Sequence, residues 1–392
     1  MLMIPGPMDA PDEVLKRLGH QVFPHYDAPT NFPAFYNELT EKMKPIFGIE
    51  NDEGGRVFIP NGSGTVAVNM AIASLCTPDD DVLVINNGGL GAYAEKNLNA
   101  LGIPFTFVND TWGKAINPDL VRAAMEKKRH KFIYMTHNES STAVVNPITP
   151  IGKIAREFDA LVISDSISAV GGVVCDMGEN GADVLCGASQ KCLELPPGLA
   201  PVAVSSRAWD YMEKMPVRRV PYILDLMEWR NAAIKQVDSH PQPVTGATTM
   251  LYALDWVVDQ INQEGIENRQ ERFRTAGNKL REGMAKLGFI MSADASDASP
   301  VVTDFFTPNK IDSNIVRNFY LLEHNTMVGY GFANVDKETG TNLSFRVAHF
   351  GKAANSDRVD HMLNLTNEWL ETYIFSHDKR HWTLKGLEWI CS

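Results

Sequence analysis

The sequence is poor in basic charge and in long apolar runs. Its 36 Lys and Arg are outnumbered by 48 Asp and Glu, so the 392 residues carry a formal net charge of -12. Because no basic cluster interrupts this balance, we expect no nucleic-acid partner. No apolar run reaches the length needed to cross a bilayer, and the first residues, MLMIPGPMDAPDEVL, lack the pattern of a signal peptide. We therefore expect neither export nor membrane insertion.

Cysteine is also scarce, with five residues in the whole chain. The odd number and the lack of a CxxC spacing argue against a complete disulfide framework and favour the reducing cytoplasm. The cysteines are Cys76, Cys175, Cys186, Cys192 and Cys391. Hydrophobic residues make up 44% of the chain, which is enough to bury the cores of about two domains.

Hydrophobic periodicity divides the chain into two patterns. From residue 57 to residue 205, β-rich runs such as VLVIN, FIYMT and ALVISD alternate with helical stretches such as TVAVNMAIASL and PIGKIAREF. This alternation predicts an α/β fold, a mainly parallel sheet with helices on both faces. Beyond residue 288, strands such as VVTDFF and LSFRVAHF mix with helices, which predicts a smaller α+β domain. The expected division is an N-terminal arm (1–20), a large domain with a linking helix (21–285) and a small domain (286–392).

Unusual polar and glycine residues directly follow the predicted strands. Ligands of such sheets bind at the carboxyl ends of the strands, so we expect these residues to converge on one site. They occupy positions 61–65, 87–91, 137–140, 165 and 189–191.

The segment Asn-Gly-Ser-Gly-Thr at 61–65 lies between a strand and a helix. Exposed N–H groups and the helix dipole favour an anion there, so a phosphate site and a tight turn capped by Ser or Thr both fit. Lys191 and Asp165 supply the two groups that pyridoxal 5'-phosphate (PLP) chemistry most needs. A lysine forms a Schiff base, and a carboxylate keeps the pyridine nitrogen protonated. Singly, a Lys or an Asp at a strand end is usually only a solvated or capping residue. Their occurrence together favours a PLP enzyme.

The sequence motifs and their order along nearly the whole chain resemble those of the class V aminotransferases of PLP fold type I. The similar branch contains alanine:glyoxylate, serine:glyoxylate, ureidoglycine:glyoxylate and pyridoxamine:pyruvate aminotransferases. The matching residues are Pro5-Gly6-Pro7, Gly62-Ser63-Gly64-Thr65, Glu139-Ser140-Ser141-Thr142, Ser164-Asp165-Ser166, Ser189-Gln190-Lys191 with Pro196-Pro197-Gly198, and Arg346 within Phe345-Arg346-Val347-Ala348-His349.

The resemblance implies a role for each of these residues. Lys191 would carry PLP and move the substrate proton, and Asp165 would pair with the pyridinium nitrogen. Thr245 would reach the phosphate of the other subunit, which implies a homodimer with shared active sites; without the resemblance, Thr245 is a helix N-cap. The remaining cofactor contacts would come from Ser63, Gly64, Thr65 and Gln190 at the phosphate, Ser140 by a hydrogen bond, and Ile167 on one ring face.

The chain departs from the family at Leu90, where relatives usually place an aromatic residue that stacks on the cofactor ring. Tyr93 lies one helical turn later and is the nearby aromatic candidate. Arg346 would clamp the carboxylate of the substrate with its planar fork, whereas the bare sequence favours a salt bridge between domains.

The resemblance implies a cytoplasmic PLP-dependent aminotransferase that moves an amino group from a small donor such as alanine or serine to glyoxylate or pyruvate. Pyridoxamine:pyruvate and ureidoglycine:glyoxylate transfer are alternatives, and residues 25–29 resemble the pyridoxamine enzyme. A PLP lyase or cysteine desulfurase ranks below these, because desulfurases need a mobile cysteine late in the chain and none lies between Cys192 and Cys391. A non-catalytic relative ranks lowest, since Asp165, Lys191 and Arg346 all occur. No metal site is expected.

Overall fold

A computed structural model describes residues 1–20, 22, 31–49, 51–215, 220–332 and 341–375. The α-helices are α1 Asp12–Leu18, α2 Phe32–Lys42, α3 Lys44–Phe47, α4 Gly64–Leu75, α5 Tyr93–Ala100, α6 Pro118–Lys127, α7 Ile148–Glu157, α8 Ser206–Lys214, α9 Leu226–Lys235, α10 Thr248–Glu264, α11 Ile266–Lys286, α12 Ser313–His324 and α13 Ser356–Phe375. The strands are β1 Leu2–Met3, β2 Arg56–Phe58, β3 Asn61–Gly62, β4 Val82–Asn86, β5 Phe105–Asn109, β6 Phe132–Thr136, β7 Asn138–Glu139, β8 Val144–Val145, β9 Leu161–Asp165, β10 Val184–Cys186, β11 Gly198–Leu199, β12 Val202–Val204, β13 Ile290–Met291, β14 Val302–Phe306, β15 Met327–Tyr330 and β16 Ser344–Ala348.

The larger sheet has seven strands in the order β2-β12-β10-β9-β6-β4-β5. The pairs from β10 to β5 are parallel, and β12 is antiparallel to both of its neighbours. Six strands therefore point the same way, which confirms the prediction of a mainly parallel α/β sheet. Strands covered on both faces read as continuous apolar runs, and VLVIN and FIYMT are runs of this kind.

Helices cover both faces of this sheet, because alternate residues of each strand point to opposite sides. Leu83 and Ile85 pack in one buried cluster with side chains of α6, α7 and α10. Val82 and Val84 pack in a second cluster with side chains of α4, α8 and α9. The two clusters fix the sheet between layers of helices and so hold the carboxyl ends of its strands in place.

The smaller sheet has five strands in the order β1-β15-β16-β14-β13, and only the β1–β15 pair is parallel. A third buried cluster joins it to α11, α12 and α13. Strand β1, at the start of the chain, thus pairs with β15, more than 300 residues later. Pro5, which follows β1, reaches Lys191 beside the larger sheet. The expected division at residues 20 and 285 stays a prediction, and residues 25–29 and the tail 376–392 lie outside the described residues.

The helices of the described ranges do not include one that is both long and apolar enough to cross a membrane. Cys76, Cys175, Cys186 and Cys192 are buried free thiols, and Cys391 lies outside the described residues.

Candidate active site

Lys191 lies in the turn after β10, at the carboxyl edge of the larger sheet. Its side chain is half-buried, and its Nζ donates a hydrogen bond to the carbonyl oxygen of Pro5. Burial, followed by the positive charge of Arg346, lowers the pKa of Lys191 to about 8. Near neutral pH an appreciable fraction of this amine is therefore uncharged, which is the form that attacks a carbonyl carbon.

Asp165 ends β9, the strand next to β10. Its Oδ1 accepts a hydrogen bond from the backbone N–H of Ile167 at 3.1 Å. The pKa of Asp165 is raised to about 6, mainly by burial and also by the nearby Glu139, while the hydrogen bond from Ile167 and the charge of Lys191 act in the opposite direction. A cationic partner such as a protonated pyridine nitrogen would favour the ionised carboxylate here.

The helix α4 begins at Gly64, and Ser63 occupies its N-cap position. The Ser63 side chain makes no capping hydrogen bond, so the structure does not support the simple capped turn that the sequence left open. No acidic residue lies in the first turn, which leaves the positive end of the helix dipole for an external anion. A Cβ atom added to Gly64 would lie 2.5 Å from Cγ1 of Ile167, so only glycine allows this close approach.

Gln190 and Thr245 are the two other residues expected at the phosphate. The Oε1 end of the Gln190 amide is buried and has no protein partner, which leaves the amide to bind a ligand. Asn61 bridges two chain segments, because its side chain donates to Thr245 O at 2.6 Å and accepts from Ala247 N at 2.9 Å. Thr245 is exposed and lies three residues before α10, so it is not the helix N-cap.

Glu139 organises the loop that contains Leu90, a role that the sequence did not reveal. Its Oε2 accepts hydrogen bonds from the N–H groups of Leu90 and Gly91, both at 3.0 Å, and its Oε1 accepts from N and Oγ of Ser141. The side chain is completely buried, and burial raises its pKa. Ser141 Oγ in turn accepts from Gly89 N at 2.7 Å. In the sequence Glu139 begins the motif Glu139-Ser140-Ser141-Thr142, three residues after the end of β6, but that motif does not indicate these contacts.

Arg346 comes from β16 of the smaller sheet and reaches the same site. Its Nε donates to Tyr330 O at 2.5 Å and its Nη1 to Ser140 O at 2.9 Å. Burial lowers its pKa to about 10, and the charges of Asp304 and Glu139 oppose that shift. Among the described residues no carboxylate forms an ion pair with Arg346, so the salt bridge favoured by the bare sequence is not observed. The N–H groups that remain on Nη1 and Nη2 can bind a ligand carboxylate.

Phe332 supplies an aromatic ring beside this clamp, and no sequence motif indicated it. The Arg346 guanidinium carbon lies 4.7 Å from the ring centroid, a typical cation–π contact. A Cβ atom on Gly89 would lie 2.8 Å from Cδ1 of Phe332, so the ring also covers the loop that contains Leu90. Tyr93 has a 54% exposed side chain, with Lys96 over its ring.

The site therefore combines groups that suit a phosphorylated aldehyde cofactor. They are an amine with a lowered pKa at Lys191, a half-buried carboxylate at Asp165, an open helix N-terminus at Gly64 and, at Gln190, an amide oxygen without a partner among the described residues. Of the predicted residues, Ser63, Thr65 and Thr245 are exposed, and the others are at least partly buried. The described residues contain no His, Cys, Asp and Glu group that could hold a metal ion.

Comparisons with known proteins agree with this arrangement. A family model described as "Aminotransferase class-V" matches residues 7–356. An uncharacterized aminotransferase of Methanocaldococcus jannaschii is 31% identical over 353 residues, which cover 90% of this chain and 88% of the relative. A pyridoxamine–pyruvate transaminase of Mesorhizobium japonicum is 29% identical over 359 residues, covering 89% and 86%. The crystal structure of an alanine–glyoxylate aminotransferase from Nostoc sp. superposes with a TM-score of 0.86 at 25% identity, covering 94% of each chain.

Proposed function

Because this chain belongs to the class V aminotransferases, we propose that it holds PLP at Lys191 and moves an amino group from a small donor to glyoxylate or pyruvate. The observation that carries this proposal is the position of Lys191, half-buried in the turn after β10 and next to the parallel strand β9 that ends at Asp165. When bound, PLP supplies an electron-withdrawing ring that stabilises negative charge on the α-carbon of an amino compound.

The residues around Lys191 would hold this cofactor by distinct interactions. Asp165 would keep the pyridine nitrogen protonated, and Ile167 and Leu90 would cover the ring. The N-terminus of α4 would bind the phosphate through the groups of Ser63, Gly64, Thr65 and Gln190, while Ser140 would add a hydrogen bond. Thr245 of a partner subunit would complete the phosphate site, and we propose a cytoplasmic homodimer with shared active sites.

Lys191 and Arg346 would handle the substrate. Arg346 binds the carboxylate through Nη1 and Nη2, because its Nε is engaged by Tyr330 O. With the carboxylate fixed, the neutral Nζ of Lys191 takes the proton from the α-carbon and later returns it. The hydrogen bond from Nζ to Pro5 O places the N-terminal segment beside the amine.

A panel of donors and acceptors tests the proposal. Alanine, serine, aspartate, ureidoglycine, 2-aminoethylphosphonate and pyridoxamine are each mixed with the PLP-loaded enzyme, and the absorbance of the bound cofactor is followed. Glyoxylate, pyruvate or oxaloacetate is then added to reverse the change. Reversible conversion with a small amino acid is expected, whereas no change with any donor would refute aminotransfer. Pyridoxamine is included because a pyridoxamine–pyruvate transaminase is a relative. If pyridoxamine were the only donor that reacts, the vitamin would be the substrate of this enzyme and PLP would not be its coenzyme.

A further inference from the structure

A polar cavity lies apart from Lys191, on one side of the linking helix α11. Its volume is about 660 Å³, and none of the predicted active-site residues lines it. One wall consists of Gln270, Arg274, Asn278 and Arg281, which are spaced by three or four residues and so share one face of α11. The opposite wall comes from residues 115–118 of the larger-sheet region and residues 295–298 before β14.

Arg281 is the unusual residue of this cavity, because its charge has no acidic partner. Its Nη1 donates to Ser299 O at 3.3 Å and to Thr303 Oγ1 at 3.0 Å, and its Nη2 donates to Asn278 Oδ1 at 2.7 Å. All three acceptors are neutral. Within the described ranges no Asp or Glu forms an ion pair with this guanidinium, although the side chain is half-buried. A guanidinium has five N–H groups, so the Nε donor and one Nη2 donor remain.

The electrostatic surroundings point in the same direction. Burial lowers the pKa of Arg281 to about 10, and the positive charge of Arg274 adds to the shift. Arg274 is paired with Glu271, but both side chains are about half exposed, so this pair holds Arg274 only weakly. The acidic residue of the wall, Asp297, is already engaged by Ala115 N at 2.9 Å and Ser296 Oγ at 3.0 Å. A partly buried positive charge without a counter-charge is unfavourable unless an anion is supplied from outside.

We propose that this cavity binds a small oxyanion, either a phosphate or a carboxylate group, on Arg281 with Arg274 beside it. The two free donors of Arg281 provide charge-assisted hydrogen bonds to the oxygen atoms, and Gln270 adds a polar contact at the cavity wall. The site is independent of the PLP site, since it shares no lining residue with it.

Titration calorimetry of the PLP-loaded enzyme tests this proposal, because the loaded cofactor occupies the phosphate-binding helix. Sodium phosphate and sodium malonate are titrated separately in a buffer that contains neither group, and the tighter ligand identifies the oxyanion class. Arg346→Gln is titrated in parallel, so that only binding that persists without Arg346 is assigned to this cavity. The key variants are Arg281→Gln, which removes the charge, and Asn278→Asp, which supplies a carboxylate within 2.7 Å of Nη2 with no change in side-chain size. Arg122→Gln, at an exposed pair with Glu157, is the matched control.

We expect phosphate or malonate to bind the wild-type protein and Arg122→Gln equally, and to bind Arg281→Gln and Asn278→Asp roughly tenfold to hundredfold more weakly. Asn278→Asp retains the fold and Arg281, so the test stands even if Arg281→Gln is unstable. Equal affinity in the wild type and Asn278→Asp would overturn the proposal, as would the absence of binding of either anion to the wild type at millimolar concentration.

Discussion

Replacement of Glu139 by Gln is a sharp test of how the cofactor loop is held. The buried carboxylate accepts four hydrogen bonds, two from Leu90 and Gly91 and two from Ser141. An amide has only one oxygen atom, so it cannot serve both pairs. If the oxygen faces the Leu90 loop, the NH2 group faces the N–H of Ser141. If it faces Ser141, two backbone donors of the loop lose their acceptor.

The magnitude follows from these contacts. A buried donor without an acceptor costs about 1–3 kcal/mol, and bonds to a neutral acceptor are weaker than bonds to a carboxylate. The neutral amide is easier to bury than a carboxylate, which offsets part of the loss. We therefore expect Glu139→Gln to lower the free energy of unfolding by about 2–3 kcal/mol, and to weaken PLP binding roughly tenfold because the loop that carries Leu90 loosens.

Urea unfolding of the apo protein and titration with PLP measure the two effects. Because burial raises the pKa of Glu139, the comparison is made at about pH 8, which favours the ionised carboxylate more than neutral pH does. Glu126→Gln, at an exposed position of α6, is the control and should leave both quantities unchanged. If Glu139→Gln matches the wild type in stability and PLP affinity, the carboxylate does not anchor this loop and the reasoning is refuted.

Three further predictions concern the same site. Arg346→Gln should lower kcat/KM for the 2-oxo acid roughly hundredfold, since a buried charge-assisted contact contributes about 3 kcal/mol. Steady-state kinetics that match the wild type would show that Arg346 does not bind the substrate carboxylate. The rate of PLP capture by the apo protein should rise with pH and reach half its maximum near pH 8, because the pKa of Lys191 is lowered to about 8 and only the neutral amine reacts. Stopped-flow absorbance measures this rate, and a midpoint near 10.5, the ordinary lysine pKa, would contradict the prediction. Leu90→Tyr should tighten PLP binding about threefold to tenfold, as ring stacking adds about 0.5–1.5 kcal/mol, and an unchanged dissociation constant would count against a ring contact at Leu90.

Much of the fold could be predicted from the sequence, because its signals are local. VLVIN, FIYMT and ALVISD are short apolar runs between helical stretches, and each forms a strand of the larger sheet. The carboxyl ends of parallel strands lie at one edge, which is why Asp165 and Lys191 could be expected to meet. Strand order and direction place Asp165 at this edge, and Lys191 follows in the turn after β10.

Other parts of the site depend on contacts between distant segments. Glu139 binds Leu90 and Gly91 across 48 or 49 residues, and Asn61 holds Thr245 across 184. Glu139 and Asn61 both lie in sequence motifs, but no local pattern encodes their distant partners, so these two roles could not be predicted. Phe332 was missed for a similar reason, since it reaches Arg346 from the segment after β15.

The central claim is that Lys191 binds the cofactor covalently, and borohydride reduction of the PLP-loaded enzyme tests it most directly. Reduction makes the bond between amine and cofactor permanent, and mass spectrometry of the digested protein then locates it. We predict that the label is found on the peptide containing Lys191, and that Lys191→Ala, purified as a folded protein, carries none. A label on another lysine, or an unlabelled Lys191 peptide after full loading with PLP, would contradict the account.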